Sequence, residues 1–276
     1  MNSQQNSEVG QSLHTGSILT NYHDVGAGEP VLLLHGSGPG VSAWANWRLS
    51  IQGLKDQYRL LAPDLAGFGF TQVPDGIVYS RELWLQQIVD FLDALGVEQV
   101  NVIGNSFGGS MALALAIHHP QRVKRLILMG SVGVPFELTP GLDAVWGYTP
   151  SEDNMRAIMR IFAYDQNLVG DDLVRMRFEA SRRAGVHEAY SAMFPFPRQR
   201  WVDAMAHDEA AIRGIRHKTL LVHGRDDKVI PLATSLTLQQ WIDDSQLHIF
   251  GRCGHWTQIE HARDFGQLVR HFLAAE

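Results

Sequence analysis

The sequence predicts an α/β chain: a mostly parallel, doubly wound sheet with a helical cap inserted into it. Three observations carry this. Short apolar runs alternate with amphipathic stretches. A segment of about 70 residues interrupts that alternation without offering a strand. A glycine-flanked serine stands where one apolar run meets a helical pattern.

Taken in order, residues 1–16 are polar, lack the apolar stretch of a signal peptide and read as a flexible tail. Apolar runs follow at 31–35, 59–63, 100–103, 125–129, 220–222 and 247–250. They are continuous rather than alternating, which suits parallel strands covered on both faces. Amphipathic stretches at 81–95, 107–118, 232–242 and 258–274 supply the helices between them. The core is thus 17–134 and 206–276. The intervening 135–205 is rich in Met, Phe, Trp and Tyr and reads as several helices. One of them is expected to start at Thr149 as N-cap, with Pro150 at the first helical position and Glu152 closing the capping box. A helical insertion over strand ends more often closes a substrate pocket than merely packs there.

Composition narrows the function. Of 276 residues 45% are hydrophobic and 19% charged, the balance of a folded domain rather than a disordered chain. The net charge of −6 speaks against nucleic acid or an anionic membrane as partner. No apolar run approaches the ~20 residues of a membrane span. Cys253 is the only cysteine, so no intrachain disulfide forms and a cytoplasmic location is expected. Cys253 itself reads as a buried structural thiol. No HExxH and no clustered Cys/His spacing occurs, so neither metal nor another cofactor is expected.

Chemistry concentrates at five points. Gly104-Asn105-Ser106-Phe107-Gly108 is a G-x-S-x-G pentapeptide, which chance supplies to roughly one chain in seven of this composition. Its setting is more specific than its letters. It follows a strand and opens a helix, as a nucleophile elbow must, with glycines that permit a strained turn and a helix N-terminus beneath the hydroxyl. Ser106 needs a base. Of the thirteen histidines only His255 follows the last strand at the carboxyl edge of the sheet; His118 and His119 end a helix, and His207 and His217 fall in polar loops. The orienting acid should follow the preceding strand, where Asp226 and Asp227 both qualify on spacing. The loop His35-Gly36-Ser37-Gly38-Pro39-Gly40 is suited to an oxyanion hole, pairing its own amide with that of Phe107; Gly36 and Gly38 let backbone approach a ligand. This loop lacks the Gly-Lys-Ser/Thr of a phosphate loop, and its glycines do not match G-x-G-x-x-G. In the cap, Leu173, Met176 and Ala180 predict an apolar stripe on a helix over 171–183, with Arg177 inside it and Arg175 and Arg182 opposite. A buried arginine calls for a partner: a substrate carboxylate or an acidic side chain of the protein.

The strings HGSGPGVSAWANW, GNSFGG, GLDAVWGYTPS, MFPFPRQRWVDA and GRCGHWTQIEH closely resemble the meta-cleavage-product hydrolases. These are α/β-hydrolases that cut a carbon–carbon bond in ring-fission products of catechols. The resemblance runs from about residue 17 to the C-terminus and is strongest to 2-hydroxymuconate-semialdehyde hydrolases and their alkyl-substituted relatives. It implies an α/β-hydrolase fold with Ser106, Asp227 and His255 as triad and the amides of Ser37 and Phe107 as oxyanion hole. It also implies that Asn46, Asn105, Arg177 and Trp256 bind the carboxylate and oxo-enol end of the substrate, and that Phe162 lines the pocket. Ser37 stands where the family often has Gly; the alkyl-substrate branch shares the Ser. The expected reaction is metal-free hydrolysis of a 2-hydroxy-6-oxo-2,4-dienoate, a small-molecule ring-fission product, in a homodimer or larger homo-oligomer. Hydrogen, methyl, isopropyl and phenyl at carbon 6 all fit these strings. A general carboxylesterase using the same triad is the alternative, with a noncatalytic binding protein behind it.

Overall fold

The computed structural model describes residues 6–275. Its single sheet has eight strands: β1 Gln11–Thr15, β2 Ile18–Val25, β3 Glu29–Leu34, β4 Tyr58–Pro63, β5 Val100–Asn105, β6 Val123–Met129, β7 Thr219–Gly224 and β8 Ser245–Phe250. Their order is β1-β2-β4-β3-β5-β6-β7-β8. Strands β4 to β8 and β3 run parallel, while β1 and β2 join at one edge in antiparallel pairing. Six of the eight match the apolar runs.

The continuous apolar runs follow from burial on both faces. Successive side chains of a strand point to opposite sides. Leu32, Leu34, Val102, Leu126 and Leu128 therefore pack into one layer, and Val31, Leu33, Ile103, Ile127 and Met129 into the other. Helix α1 (Ala43–Leu54) brings Trp47 and Ile51 to the second layer. Helices α2 (Arg81–Ala94) and α3 (Phe107–His118) fill the first. Every residue of α3 from Phe107 to Ala116 is buried, so it lacks the polar face expected of an amphipathic helix: the sheet lies on one side, α2 and the inserted segment on the others.

The expectation of a tail over 1–16 fails for the described part. Residues 11–15 form β1, with Thr15 Oγ1 and Thr20 Oγ1 2.8 Å apart across the hairpin. Ahead of β1, the Gly10 amide donates to Asn21 Oδ1 (2.9 Å), and Asn21 Nδ2 donates to the Glu8 carbonyl (3.1 Å) and to Asp64 Oδ2 (2.7 Å). Asp64, at the end of β4, also accepts from the amides of Ala43 (2.6 Å) and Phe70 (2.8 Å), so it fastens the start of α1 and the N-terminal segment to the sheet.

Between β6 and β7 lie α4 (Pro140–Trp146), α5 (Glu152–Phe162), α6 (Asp171–Ser181), α7 (Val186–Met193), α8 (Gln199–Met205) and α9 (Glu209–Arg213). The first five stand within the strandless segment. The start of α5 differs from expectation. Ser151, not Thr149, is its N-cap, accepting from the Asn154 amide at 3.0 Å; Glu152 is already the first helical residue. The Ser151 hydroxyl reaches the third amide of the helix, the geometry that satisfies an otherwise orphaned donor, and Thr149 Oγ1 accepts from the Asn154 side chain instead. On α6 the buried face runs through Leu173, Val174, Arg177, Phe178 and Ser181; Met176 is exposed, one step off the stripe assigned to it. The remaining helices, α10 (Leu232–Trp241), α11 (Thr257–Glu260) and α12 (Ala262–Ala274), complete the sheet's cover. Among the described residues no helix is long and apolar enough to cross a membrane.

Candidate active site

Ser106 stands between the end of β5 and the first residue of α3 with φ 54° and ψ −115°. That region is costly for a residue with a Cβ, by about 1–3 kcal/mol, and persists where the surroundings enforce it. Here the Ser106 amide donates to the Met129 carbonyl (2.8 Å), and the Ser106 carbonyl accepts from the amides of Gly109 (2.9 Å) and Val132 (3.1 Å). The flanking glycines are required by space. A Cβ on Gly108 would lie 2.2 Å from the Leu34 carbonyl oxygen, and one on Gly104 would lie 2.4 Å from that of Gly108.

His255 follows β8, and its Nδ1 lies 2.7 Å from Asp227 Oδ2. Asp227 is therefore the one of the two aspartates that faces the histidine. Asp226 turns away, its amide donating to the Cys253 carbonyl (2.9 Å) and its carboxylate lying beside Arg225. Asp227 Oδ1 accepts from the amides of Val229 (2.7 Å) and Ile230 (3.0 Å), which leaves Oδ2 for the histidine. Burial pushes the Asp227 carboxyl up, but His255 and His223 together outweigh this and hold it well below the usual carboxylate range. His223 escaped the sequence reading. It sits in β7 with Nε2 3.0 Å from the Ile230 carbonyl and 3.4 Å from Asp227 Oδ2, backing the acid from behind. Its only signal was a histidine inside an apolar strand immediately ahead of the acid's loop.

Ser106 and His255 line one cavity of about 330 Å³. Among the described residues no hydrogen bond joins Ser106 Oγ to His255; such contacts are often long before substrate arrives. The same cavity is lined by Gly36, Ser37, Gly38, Asn46, Asn105, Phe162, Arg177 and Trp256, so the structure brings together every pocket residue named from the sequence. Asp227 and Phe107 stand behind this surface. Asn46 Oδ1 accepts from the Gly36 amide at 3.4 Å, and Asn105 Nδ2 donates to the Met129 carbonyl at 3.3 Å. Asn46 Nδ2 is buried without a partner among the described residues. Phe162 stacks on both His255 (5.7 Å between ring centres) and Trp256 (5.2 Å).

Cap residues hold the Ser37 loop. Trp146 Nε1 donates to Ser37 Oγ (2.9 Å), and Tyr190 Oη lies 2.9 Å from the Ser37 carbonyl. The Ser37 hydroxyl thus accepts from the cap and keeps its own proton to donate. A second cation also lines the cavity. Arg48, on α1, had no sequence signal beyond its place one turn after Trp44, and it joins Arg177 there. Of the two partners expected for Arg177, the structure shows the acidic side chain, that of Glu8. The arginine also lines the cavity.

Cys253 is fully buried, and burial pushes its thiol up to about 12. His207 lies in the loop between α8 and α9 as expected, but its side chain is buried beside Ser110 of α3.

A strained serine at a strand–helix elbow, a histidine held by a buried aspartate and an insertion closing the pocket define a serine hydrolase of the α/β-hydrolase class. The alpha/beta hydrolase fold family model matches residues 29–153 and 143–262. A 2-hydroxy-6-oxo-2,4-heptadienoate hydrolase of Pseudomonas putida is 60% identical over 98% of both chains. A 2-hydroxymuconate semialdehyde hydrolase of Pseudomonas sp. strain CF600 is 58% identical, covering 99% of this chain and 97% of its own. Among solved structures, the meta-cleavage product hydrolase of Pseudomonas fluorescens IP01, a serine-to-alanine mutant complexed with acetates, superposes with a TM-score of 0.96. It is 54% identical and covers 97% of this chain and 98% of its own. The chain belongs to the meta-cleavage-product hydrolase family of α/β-hydrolases.

Proposed function

We propose that this serine hydrolase cleaves the C5–C6 bond of a 2-hydroxy-6-oxo-2,4-dienoate bearing hydrogen or a small alkyl group at carbon 6. The products are 2-hydroxypenta-2,4-dienoate and a small carboxylic acid. The observation that carries the reading is the composition of one cavity. It combines the Ser106–His255 pair, two arginines, the side-chain amides of Asn46, Asn105 and Gln258, and an apolar remainder formed by Leu142, Val145, Met155, Met159 and Val229. A neutral ester has no use for two arginines. A dienoate presents a carboxylate to them, and its acyl end suits the apolar walls.

The conjugated dienol is a poor leaving group, so a proton must first move from the 2-hydroxyl to carbon 5. His255 is placed to carry it. In the resulting keto form, Ser106 Oγ adds to carbon 6 while its proton goes to His255. The C5–C6 bond then breaks, and its electron pair passes along the chain to the carbon-2 oxygen. Water releases the acid from Ser106. The Ser37 and Phe107 amides receive the oxyanion at carbon 6, and Asn46, Asn105, Arg177 and Trp256 hold the carboxylate and oxo-enol end. The reading extends to a cytoplasmic protein and to a homo-oligomer, whose size sedimentation of the purified protein measures and whose location fractionation of cells measures.

A kinetic panel of dienoates differing only at carbon 6, run beside a neutral 4-nitrophenyl ester, tests this. Hydrogen and methyl should give the highest kcat/KM, and phenyl a value at least tenfold lower. Preference for the ester over every dienoate would return the protein to the general esterases.

A further inference from the structure

Glu8 lies ahead of the first strand, in a segment that the sequence presents as solvated, yet its side chain is only 12% exposed. One carboxylate oxygen pairs with Arg177 Nη2 of α6. The other accepts from Ser42 Oγ at 2.7 Å, the residue that caps α1. Its backbone is held as well: the carbonyl accepts from Asn21 Nδ2 (3.1 Å), and the amide donates to Asn6 Oδ1 (3.0 Å). The N-terminal segment thus ties a helix of the cap to a helix of the core, and the tie ends on the arginine that lines the cavity.

We propose that Glu8 is a positioning residue, holding Arg177 in place to receive the substrate's carboxylate. The proposal rests on the reading of Arg177 as the carboxylate's partner. Three features support it. An arginine side chain has much rotational freedom, and a fixed partner on one nitrogen removes on folding the ordering cost that binding would otherwise bear. The pairing engages Nη2 and leaves Nη1 without a hydrogen-bond partner among the described residues, so the guanidinium retains a donor for a ligand. Arg48 and Arg177 also share the cavity, and the nearby Glu8 carboxylate offsets the repulsion between these two like charges. A competing arrangement, in which Glu8 occupies Arg177 and must swing out for substrate, does not fit a side chain whose two oxygens and carbonyl are all engaged.

The test compares Glu8→Gln, Glu8→Asp, Arg177→Gln and the double variant Glu8→Gln/Arg177→Gln, reading KM and kcat on the 6-methyl dienoate together with thermal unfolding. Glu8→Gln should raise KM about tenfold, the scale of a charge-assisted pair, with kcat within threefold. Glu8→Asp, which keeps the charge, should recover part of that loss. The double variant should be no worse than Arg177→Gln alone, because Glu8 acts only through Arg177. An unchanged KM in Arg177→Gln would remove the carboxylate reading and this inference together. A raised KM in Arg177→Gln with an unchanged or lowered KM in Glu8→Gln would overturn the role of Glu8 alone. Additive effects in the double variant, or a Glu8→Gln whose only change is a lower unfolding temperature, would likewise reduce Glu8 to a structural strap.

Discussion

Phe162 touches His255 twice: its carbonyl accepts from the His255 amide at 2.7 Å, and its ring stacks on the imidazole at 5.7 Å. The last residue of a cap helix thereby sets both the backbone and the ring plane of the histidine. Replacing the ring alone separates the two contacts. Phe162→Leu should leave KM for the 6-methyl dienoate within about threefold, lower kcat about fivefold and reduce stability by about 1 kcal/mol. Steady-state kinetics and urea unfolding measure both. Unchanged kcat would mean that the backbone contact suffices.

Ser106→Ala and His255→Ala should fail at different steps. Without Ser106 the protein should still bind the dienolate and shift its absorbance rapidly, with turnover down by several orders of magnitude. Without His255 the shift should be slower, different or absent, because the proton has no carrier to carbon 5. Rapid-mixing spectra of the two variants distinguish these. Identical traces would confine His255 to activating Ser106.

Trp146→Phe should keep the stack on Phe194 (4.5 Å between ring centres) and lose only the hydrogen bond to Ser37 Oγ. One neutral hydrogen bond corresponds to about 1 kcal/mol, so kcat should fall roughly fivefold while the unfolding temperature changes little. A Ser37→Ala variant should then gain nothing further from Trp146→Phe.

Two buried histidines lose their contribution to stability on the acid side. His35 Nε2 accepts from the Leu65 amide (2.9 Å) while its Nδ1 faces the Gly36 carbonyl, and His207 Nε2 faces the Ser110 carbonyl (3.0 Å) while its Nδ1 faces Arg81. Neither ring has room for a second proton, and burial pushes both down to about 4. Between pH about 6.5 and about 4 the unfolded chain takes up these protons first, so the stability these two histidines contribute falls as pH drops through that window, opposed by Asp64, whose carboxyl burial pushes up to about 7. Each histidine contributes about 2–3 kcal/mol to the fall. Urea unfolding at pH 7.5 and 4.5 should show it, and His207→Gln should flatten the slope.

What the sequence made legible follows from where each signal is stored. Five of the six parallel strands announce themselves because both faces are buried, while β8, at the sheet edge, keeps its apolar run although much of it is exposed. The Ser106 elbow is visible because strand, glycines and helix are contiguous. Strands β1 and β2 lie at an antiparallel edge, where Thr15, Thr20 and Asn21 are buried by pairing with one another and with Asp64, so no apolar run marks them. Helix α1 is hidden by the glycine-rich loop ahead of it, although Ser42 is a regular N-cap. The partner of Arg177 could not be read locally at all: Glu8 is 169 positions away, in a stretch whose composition resembles a solvated terminus.

The state of Cys253 bears on what the protein can survive while it works. A conjugated dienone is an electrophile, and thiolates add to such systems readily. The chain carries one thiol, and that thiol stands close to His255 in sequence, on the turn that forms part of the pocket's rim. Held protonated and sealed from solvent, with its sulfur turned toward Thr257 and Glu260 rather than the cavity, it offers the substrate no competing nucleophile. Self-alkylation during turnover is thereby avoided, and the enzyme should tolerate prolonged exposure to its own reactive substrate.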